Sequence, residues 1–483
     1  MKKKSLTKNY ILDMIYRIIT LVVPLITAPY ISRHIGVEGI GNFSYTQSIN
    51  SYFTFVAILG SNIYGQREIA FCNGNKDEIT RKFWSIFFCR FIFTTLTTIA
   101  YLVLVLHTYG VIRVLLLIQV TDIIGQIFDI NWLYQGLEEF GKILARNIIM
   151  KTISVVSIFL FVNTADDLYI YVFIVSFANV FSNMLMFFSL KKYVKKPVVL
   201  LTDIKNHIRP ILKLFFPTIA LNLYNQIDKT MIGYLSFSDE AGYYEQATKI
   251  IVIINTFVTS VCNVMSPRIA SLIKIGDVEE TRRLNRKTFE LIWLLALPIA
   301  FGLFAISDYF VPLFFGKGFE KVSILLKILS VICMPMGIKM ILGMQFLIPN
   351  KLEKEYTKSI FLGTVVNVIL NSILIRYWGA IGAAISSICS EIVIICCIII
   401  DLRGILCISD IFSGVAKKTI SAVIMFMIIC VLIPLIKIDI LKIIIPILVG
   451  ASSYFIILII IKDEFIWQIM KKCMTVIKKR RDV

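Results

Sequence analysis

Roughly fourteen apolar stretches, each about 20 residues long, follow one another along the whole chain. Hydrocarbon holds no water to satisfy backbone N–H and C=O groups, so a segment that crosses a membrane must be a helix or part of a closed barrel. Stretches of this length fit helices. With 58% hydrophobic and 17% charged residues, the 483-residue chain also lacks the polar surface that a soluble globule needs. The sequence therefore predicts an all-α polytopic membrane protein.

The hydropathy pattern gives the position of each predicted span. The first span continues past Pro24 and Pro29 with no small-residue cleavage site, so it is expected to remain in the mature protein. The fourteen spans are expected at residues 10–32, 42–66, 83–107, 111–134, 146–163, 168–190, 211–235, 243–267, 288–310, 322–348, 359–377, 380–400, 415–436 and 441–461.

Lys and Arg are distributed unevenly among the gaps between spans. Most of the 50 Lys and Arg fall at the two ends of the chain and in every second gap, whereas other gaps are acidic, at Asp166 and Asp167 and at Asp239 and Glu240. Short cytoplasmic loops accumulate Lys and Arg, while exported loops do not. The distribution predicts that both termini are cytoplasmic.

The net charge of +19 does not indicate nucleic acid binding, because the basic residues lie in short loops beside apolar spans and face anionic lipid headgroups. The ten cysteines form no CxxC pair and have no histidine at ligand spacing, so we expect packing residues and no metal site. No Walker motif is present, so direct ATP use is not expected. The sequence predicts no cofactor.

The two halves of the chain are weakly similar to each other. At an offset of 201 residues, Gly41 aligns with Gly242 and Phe43 with Tyr244, and at an offset of 212, Lys142 aligns with Lys354. Such a repeat predicts two parallel six-helix lobes, an architecture of transporters. The domains are then a lobe at 1–190, a basic cytoplasmic linker at 191–210, a second lobe at 211–400, and helices 13 and 14 with a basic tail at 401–483.

Several spans carry polar residues at helical spacing, as in Asp13, Arg17 and Thr20 of span 1. A charge inside the bilayer is costly, so it normally faces the interior of a helix bundle or a hydrated cavity. Cations are in excess, and arginine recognises phosphate groups well, so the set fits an anion such as phosphate or pyrophosphate. The candidate substrate-binding cations are Arg17, Arg67, Arg90, Arg146, Lys229, Lys249, Arg268 and Lys339.

Carboxylates also lie within the spans and could bind a coupling proton or Na⁺. The candidates are Asp13, Asp122, Asp129, Asp228, Glu245 and Glu391. The alternative interpretation of both sets is structural: hydrogen bonds and buried ion pairs that fix helix packing. The sequence leaves both interpretations open.

Three stretches resemble bacterial polysaccharide flippases of the Wzx type, which belong to one superfamily with multidrug extruders and lipid II flippases. They are GVEGIGNFSYTQSINSYFTFVAILGSNIYGQREIA, NWLYQGLEEFGKILARNIIMK and NLYNQIDKTMIGYLSFSDEAGYYEQATKI. The resemblance implies two six-helix lobes in a V shape and a protein of the bacterial cytoplasmic membrane that is not an enzyme. It further implies that an undecaprenyl-pyrophosphate-linked oligosaccharide is flipped to the outer leaflet by alternating access, for capsule, O-antigen or another surface polysaccharide.

The implied partners are the lipid-linked oligosaccharide, membrane lipids, and the polymerase and glycosyltransferases of the same pathway. One rival function is an ion-coupled multidrug extruder of the same superfamily, which the excess of cations disfavours. Another is an integral-membrane glycosyltransferase or polymerase, which the short outer loops disfavour. A purely structural membrane scaffold is a third alternative, but it gives no reason for costly charged residues at helical spacing within several spans.

Overall fold

The computed structural model describes residues 6–197, 201–468 and 470–471, and leaves out the side chains of 6–18, 21, 201–202, 216–218 and 220–221. Most of these residues are helical, and none of them lies in a strand. The α-helices of this part of the chain are α1 (Leu6–Ile58), α2 (Ser61–Phe71), α3 (Lys76–Leu106), α4 (Gly110–Gly125), α5 (Asn131–Gly136), α6 (Phe140–Phe161), α7 (Leu168–Leu185), α8 (Leu201–Leu235), α9 (Ser238–Ile275), α10 (Val278–Phe315), α11 (Glu320–Ser330), α12 (Cys333–Ile341), α13 (Glu353–Trp378), α14 (Ala380–Asp401), α15 (Ile408–Ile411), α16 (Val415–Leu432) and α17 (Leu441–Ile460).

Among the described residues, eleven helical segments are long and apolar enough to cross a membrane. They coincide with predicted spans 3 to 6 and 8 to 14, so the all-α polytopic prediction is confirmed. The other three predicted spans lie on α1, α2 and α8. Helix α1 carries span 1 and most of span 2, and it bends at Gly36, where φ is 75° and ψ 178°. The total of fourteen crossings stays a prediction.

Two predicted spans of the first half are broken in the structure. Span 2 turns sharply after α1, where Leu59 and Gly60 have φ of 50° and 80°, and continues as α2. Span 4 leaves the α-helix at Gly125, passes through a 3₁₀ turn, and becomes extended at Asp129 before α5. Hydropathy predicts continuous helices here because an average over about 20 residues is dominated by the apolar residues around each break.

The chain divides into two compact units, Met1–Gly242 and Tyr243–Val483. In the first unit, α1 packs on α3, α4, α6 and α8, and α4 packs on α7. The predicted linker is tied to α3: Lys195 N–H donates to Thr80 Oγ1 at 3.1 Å, and Arg81 makes two hydrogen bonds to Asp203. Helix α8 therefore packs with the first unit, although the internal repeat aligns it with the second lobe.

The second unit is built around α10, which packs on α11, α12, α16 and α17. Asp277 caps the start of α10 by accepting the Glu280 N–H at 3.0 Å, and Gly316, with φ of 97°, ends it. Helices α13 and α14 form a tight antiparallel pair joined at Gly379. The predicted helices 13 and 14, here α16 and α17, are thus packed on the second unit.

Gly60→Ala is predicted to lower the thermal stability of the purified protein. A side chain at φ of 80° costs about 1–2 kcal/mol, and the new Cβ would lie 3.2 Å from the Leu214 carbonyl carbon. Thermal unfolding in detergent, followed by tryptophan fluorescence, measures the change. Gly302→Ala in α10 is the matched control, because its Cβ would meet nothing within 4 Å and alanine favours helix. Equal melting temperatures for Gly60→Ala, Gly302→Ala and the parent would contradict the prediction.

Candidate functional site

Arg90 lies at the centre of a buried polar network in the first unit. Its guanidinium donates to Asn62 Oδ1 at 2.7 Å, to Gln126 Oε1 at 3.4 Å and to Asp129 Oδ2 at 3.2 Å. The second oxygen of Asp129 accepts the Asn131 backbone N–H at 3.1 Å. The Arg90 side chain is 1% exposed and that of Asp129 10%. The structure thus joins a candidate cation to a candidate carboxylate.

Asp122 is bound by neutral groups. The Ser176 hydroxyl donates to one carboxylate oxygen at 2.7 Å, and the Asn179 amide donates to the other at 3.2 Å. Both donors lie on α7, whereas Asp122 lies on α4. The carboxylate is therefore a polar link between these two helices.

Polar side chains also join α1 to α3, α4 and α8. The Asn50 amide of α1 donates to the Gln119 carbonyl of α4 at 2.8 Å and to the Tyr101 hydroxyl of α3 at 3.5 Å. Thr230 of α8 donates to Ser48 at 2.8 Å and lies 2.9 Å from the Tyr52 hydroxyl. Next to Thr230, the candidates Asp228 and Lys229 are half-buried.

Arg67 has an exposed side chain on α2, past the end of predicted span 2. It is 53% exposed, lies 4.0 Å from Glu68, and its guanidinium carbon is 5.7 Å from the centre of the Tyr64 ring. The Tyr64 hydroxyl is 2.7 Å from Nδ1 of His207 on α8, which holds α2 against α8. Lys82 of α3 bridges to Glu68 at 3.1 Å. An anion can therefore reach Arg67 while its helix is held on two sides.

Arg146 lies on α6 and is 8% exposed. Its guanidinium donates to the Asn147 side-chain oxygen, at 2.6 Å from Nη2 and 3.1 Å from Nε. One turn earlier, Lys142 donates to the Tyr193 hydroxyl at 2.6 Å and lies 4.7 Å from the centre of that ring. The tyrosine therefore helps to hold the residues that follow α7.

In the second unit, two candidate cations pair with two candidate carboxylates. Lys249 lies 3.3 Å from Glu245 one turn earlier on α9. Lys339 of α12 lies 2.5 Å from Glu391 of α14, whose side chain is fully buried. Arg268, also on α9, is exposed. The spacing of four residues already places Glu245 and Lys249 on one helix face, whereas the pairing of Lys339 with Glu391 is seen only in the structure.

Two further candidates, Asp13 and Arg17, belong to α1, but their side chains lie outside the described part of the structure. No cluster of three or more His, Cys, Asp or Glu side chains that could hold a metal is present among the described residues. The candidate residues whose side chains are described are therefore paired or exposed charges and polar groups spread along the helices of each unit.

The structure contains a further buried ion pair that the sequence did not predict. Lys418 of α16 lies 3.2 Å from Asp463, and the two side chains are 0% and 2% exposed. Nearby in the same unit, Arg282 donates to Asp410 at 2.7 Å and Ser413 donates to Glu290 at 2.6 Å. Nothing in local spacing could have revealed these pairs, because the partners are far apart in the chain.

Comparison with known proteins gives a family and a fold. The model of the family described as "Polysaccharide biosynthesis protein" matches residues 6–273. The "Putative O-antigen transporter" of Escherichia coli (strain K12) is 23% identical over 406 residues, which are 83% of this chain and 98% of that protein. The "Probable low-salt glycan biosynthesis flippase Agl15" of Haloferax volcanii is 25% identical over 164 residues, 34% of each protein.

Two solved structures share the fold. The lipid II flippase MurJ in an inward closed conformation has a TM-score of 0.71 at 18% identity, with 94% of this chain and 99% of that chain covered. An inward-facing multidrug resistance MATE family transporter of the MOP superfamily has a TM-score of 0.57 at 14% identity, with 80% and 98% covered. The chain therefore has the transporter fold that these two proteins share, as the resemblance in its sequence predicts.

His207 is predicted to make the stability of the first unit depend on pH. Burial lowers the pKa of His207 below its ordinary value of 6.5, against smaller opposing effects of Glu68 and Asp203. The unfolded chain therefore binds more protons than the folded chain as the pH falls below about 6.5, and the free energy of unfolding decreases there. Melting temperatures measured between about pH 7 and pH 5 should fall less steeply for His207→Gln than for the parent. Parallel curves would contradict the prediction.

Proposed function

The chain belongs to the polysaccharide biosynthesis protein family, and we propose that it flips an undecaprenyl-pyrophosphate-linked oligosaccharide repeat unit from the cytoplasmic to the outer leaflet of the bacterial cytoplasmic membrane. The observation that carries the proposal is the similarity to an O-antigen transporter along 98% of that protein. The shared fold with a lipid II flippase is consistent with it. The product serves the assembly of capsule, O-antigen or another surface polysaccharide.

The pyrophosphate gives a physical reason for cations within an apolar protein. Phosphate oxygens accept charge-assisted hydrogen bonds, which are about twice as strong as neutral ones. Arg67 in the first unit and Arg268 in the second have exposed side chains, and each is accessible to a phosphate group in this proposal. Lys249, 27% exposed and beside Glu245, can exchange its carboxylate partner for a phosphate. The further candidates are Arg17, Arg146, Lys229 and Lys339. Arg90, also a candidate from the sequence, instead donates its hydrogen bonds to Asn62, Gln126 and Asp129.

Energy comes from an ion gradient or from consumption of the product outside the cell. Asp122 is the strongest candidate for a coupling proton or Na⁺, because the partners described for it are a neutral hydroxyl and a neutral amide. Glu245 and Glu391 each face a lysine, so protonation of either carboxylate would release a cation toward an anionic substrate. The remaining candidate carboxylates for a coupling ion are Asp13, Asp129 and Asp228.

The direction of transport follows from the predicted orientation, in which both termini are cytoplasmic. Alternating access then exposes the bound pyrophosphate and sugars first to the cytoplasm and later to the outside, while the polyprenyl chain stays in lipid. The polymerase and the glycosyltransferases of the same pathway are the proposed protein partners. The protein itself acts as a transporter and not as an enzyme.

A multidrug extruder is the second candidate function, because the chain shares its fold with a MATE transporter. Such a protein exports organic cations, which bind best to carboxylates. In this chain, Glu245 and Glu391 each already face a lysine. An oligosaccharide flippase therefore agrees better with the charges.

Loss of Arg67, Lys249 or Arg17 is predicted to impair complementation of a bacterium that lacks its own polysaccharide flippase. Each alanine variant removes a hydrogen bond to a charged group, worth about 1.5–3 kcal/mol, which corresponds to about a tenfold to a hundredfold loss of affinity. Surface polymer is measured at matched protein abundance. Arg283→Ala is the control, since Arg283 is 61% exposed and pairs with Glu280 on its own helix.

Full complementation by all three variants would contradict the proposal that these cations bind the substrate. Failure of the parent chain with several donor polymers, together with resistance to cationic drugs, would favour the extruder. Restored polymer with the parent and Arg283→Ala, and little polymer with the other variants, is the result that the proposal predicts.

A further inference from the structure

The two helix breaks of the first unit enclose a pair of short helices, α2 and α5, that pack directly on each other. A Cβ built on Gly65 of α2 would lie 2.5 Å from the indole of Trp132 on α5. A Cβ on Gly136 would lie 2.8 Å from the Gln66 carbonyl oxygen. Glycine at both positions is what lets the helices approach so closely. We call α2 and α5 together the α2–α5 pair.

Each helix of the α2–α5 pair is joined to the preceding span by backbone that is not helical. Leu59 and Gly60 are left-handed before α2, and Asp129 is extended before α5. A helix break removes the intrahelical hydrogen bonds that would transmit rigidity from one segment to the next. The pair is therefore held in place by side chains rather than by continuous helices.

Arg90 of α3 is bonded to both breaks at once. Asn62 is the second residue of α2, while Gln126 and Asp129 begin and end the segment where span 4 is broken, and all three accept hydrogen bonds from the Arg90 guanidinium. Asn62 also donates to Asp129 at 3.5 Å. The planar guanidinium presents several N–H donors in a fixed fork, which a lysine ammonium does not.

Within the described part of the chain, several other polar atoms near the breaks form no hydrogen bond that could link the two breaks. Ser61 Oγ, Thr94 Oγ1, Asn131 Oδ1 and Trp132 Nε1 are buried, and none has a hydrogen-bond partner among the described residues. Each belongs to a residue adjacent to, or within one helical turn of, a member of the Arg90 network. The bonds made by Arg90 and Asp129 are therefore the polar links across this junction.

We propose that Arg90 is a positioning residue: its guanidinium ties the breaks of spans 2 and 4 together and so holds the α2–α5 pair, with Arg67 on its exposed side, in one orientation. The importance of Arg67 for the substrate rests on the proposed function. The positioning itself does not, and it can be measured on the purified protein without any substrate.

The chain carries a native reporter of this orientation. Cys72 follows the last residue of α2, is 2% exposed, and packs in the same apolar cluster as Tyr64, Ile69 and Trp132. Burial raises the pKa of the Cys72 thiol from 9.0 to about 11. Only the thiolate reacts with maleimides, so full exposure of Cys72 would raise its reaction rate about a hundredfold at a fixed pH below 9 through the pKa alone.

The experiment measures maleimide labelling of Cys72 in a variant whose other cysteines are replaced. Arg90→Met is expected to raise the labelling rate about tenfold or more, and Asn62→Ala, which leaves no buried charge unpaired, by a smaller factor. Arg90→Lys keeps a cation beside Asp129 but loses the fork, so it too should label faster than the parent. Lys418→Met is the matched control, because it breaks an equally buried ion pair in the second unit and should leave Cys72 protected.

Two results would overturn the proposal. One is a Cys72 labelling rate in Arg90→Met and Asn62→Ala that stays within about twofold of the parent. The other is an equal rise at Cys262, which is fully buried in the second unit and reports general unfolding when it is the retained cysteine. This experiment measures no transport. The proposed function can therefore be wrong while the positioning role of Arg90 is correct, and the positioning role can be wrong while the proposed function is correct.

Discussion

The lack of water in hydrocarbon is the constraint on which the rest of this structure depends. It makes the described membrane-crossing segments helical, since a helix satisfies its own backbone groups. It also explains why Arg90, Lys339 and Lys418 are each paired with a carboxylate of the same unit. A buried charge left alone costs several kcal/mol, whereas a paired and hydrogen-bonded one is tolerated. The charged residues that interrupt the apolar spans therefore help to hold the helices of each unit together.

The same constraint separates the cations into two groups. Arg90 is enclosed by side-chain acceptors, so it acts on the protein itself. Arg67 and Arg268 remain exposed at positions past the apolar spans, where a pyrophosphate headgroup can reach them. Lys249 lies between these extremes because its carboxylate partner is on the same helix, one turn away. In this account the enclosed cations shape the helices, and the exposed cations meet the substrate.

The sequence predicts most of this fold because hydropathy and helix length are local properties. Spans 12 and 14 match α14 and α17 within one residue at each end. The breaks at Gly60 and Asp129 could not be predicted in this way, since an average over about 20 residues conceals a turn of two or three. Residue type identifies the candidate cations. Only tertiary packing shows that Asp129 pairs with Arg90 and that Asp463 pairs with Lys418.

Reconstitution of the purified protein in liposomes would show whether it moves a lipid-linked oligosaccharide between leaflets. Vesicles that contain a polyprenyl-pyrophosphate-linked oligosaccharide are treated with a membrane-impermeant reagent that modifies sugars, and the accessible fraction is followed with time. We expect the protein to bring the inner-leaflet molecules to the outer surface, so that the modified fraction rises well above that of protein-free vesicles. A modified fraction that stays at the outer-leaflet share, with protein that is folded and inserted, would contradict it.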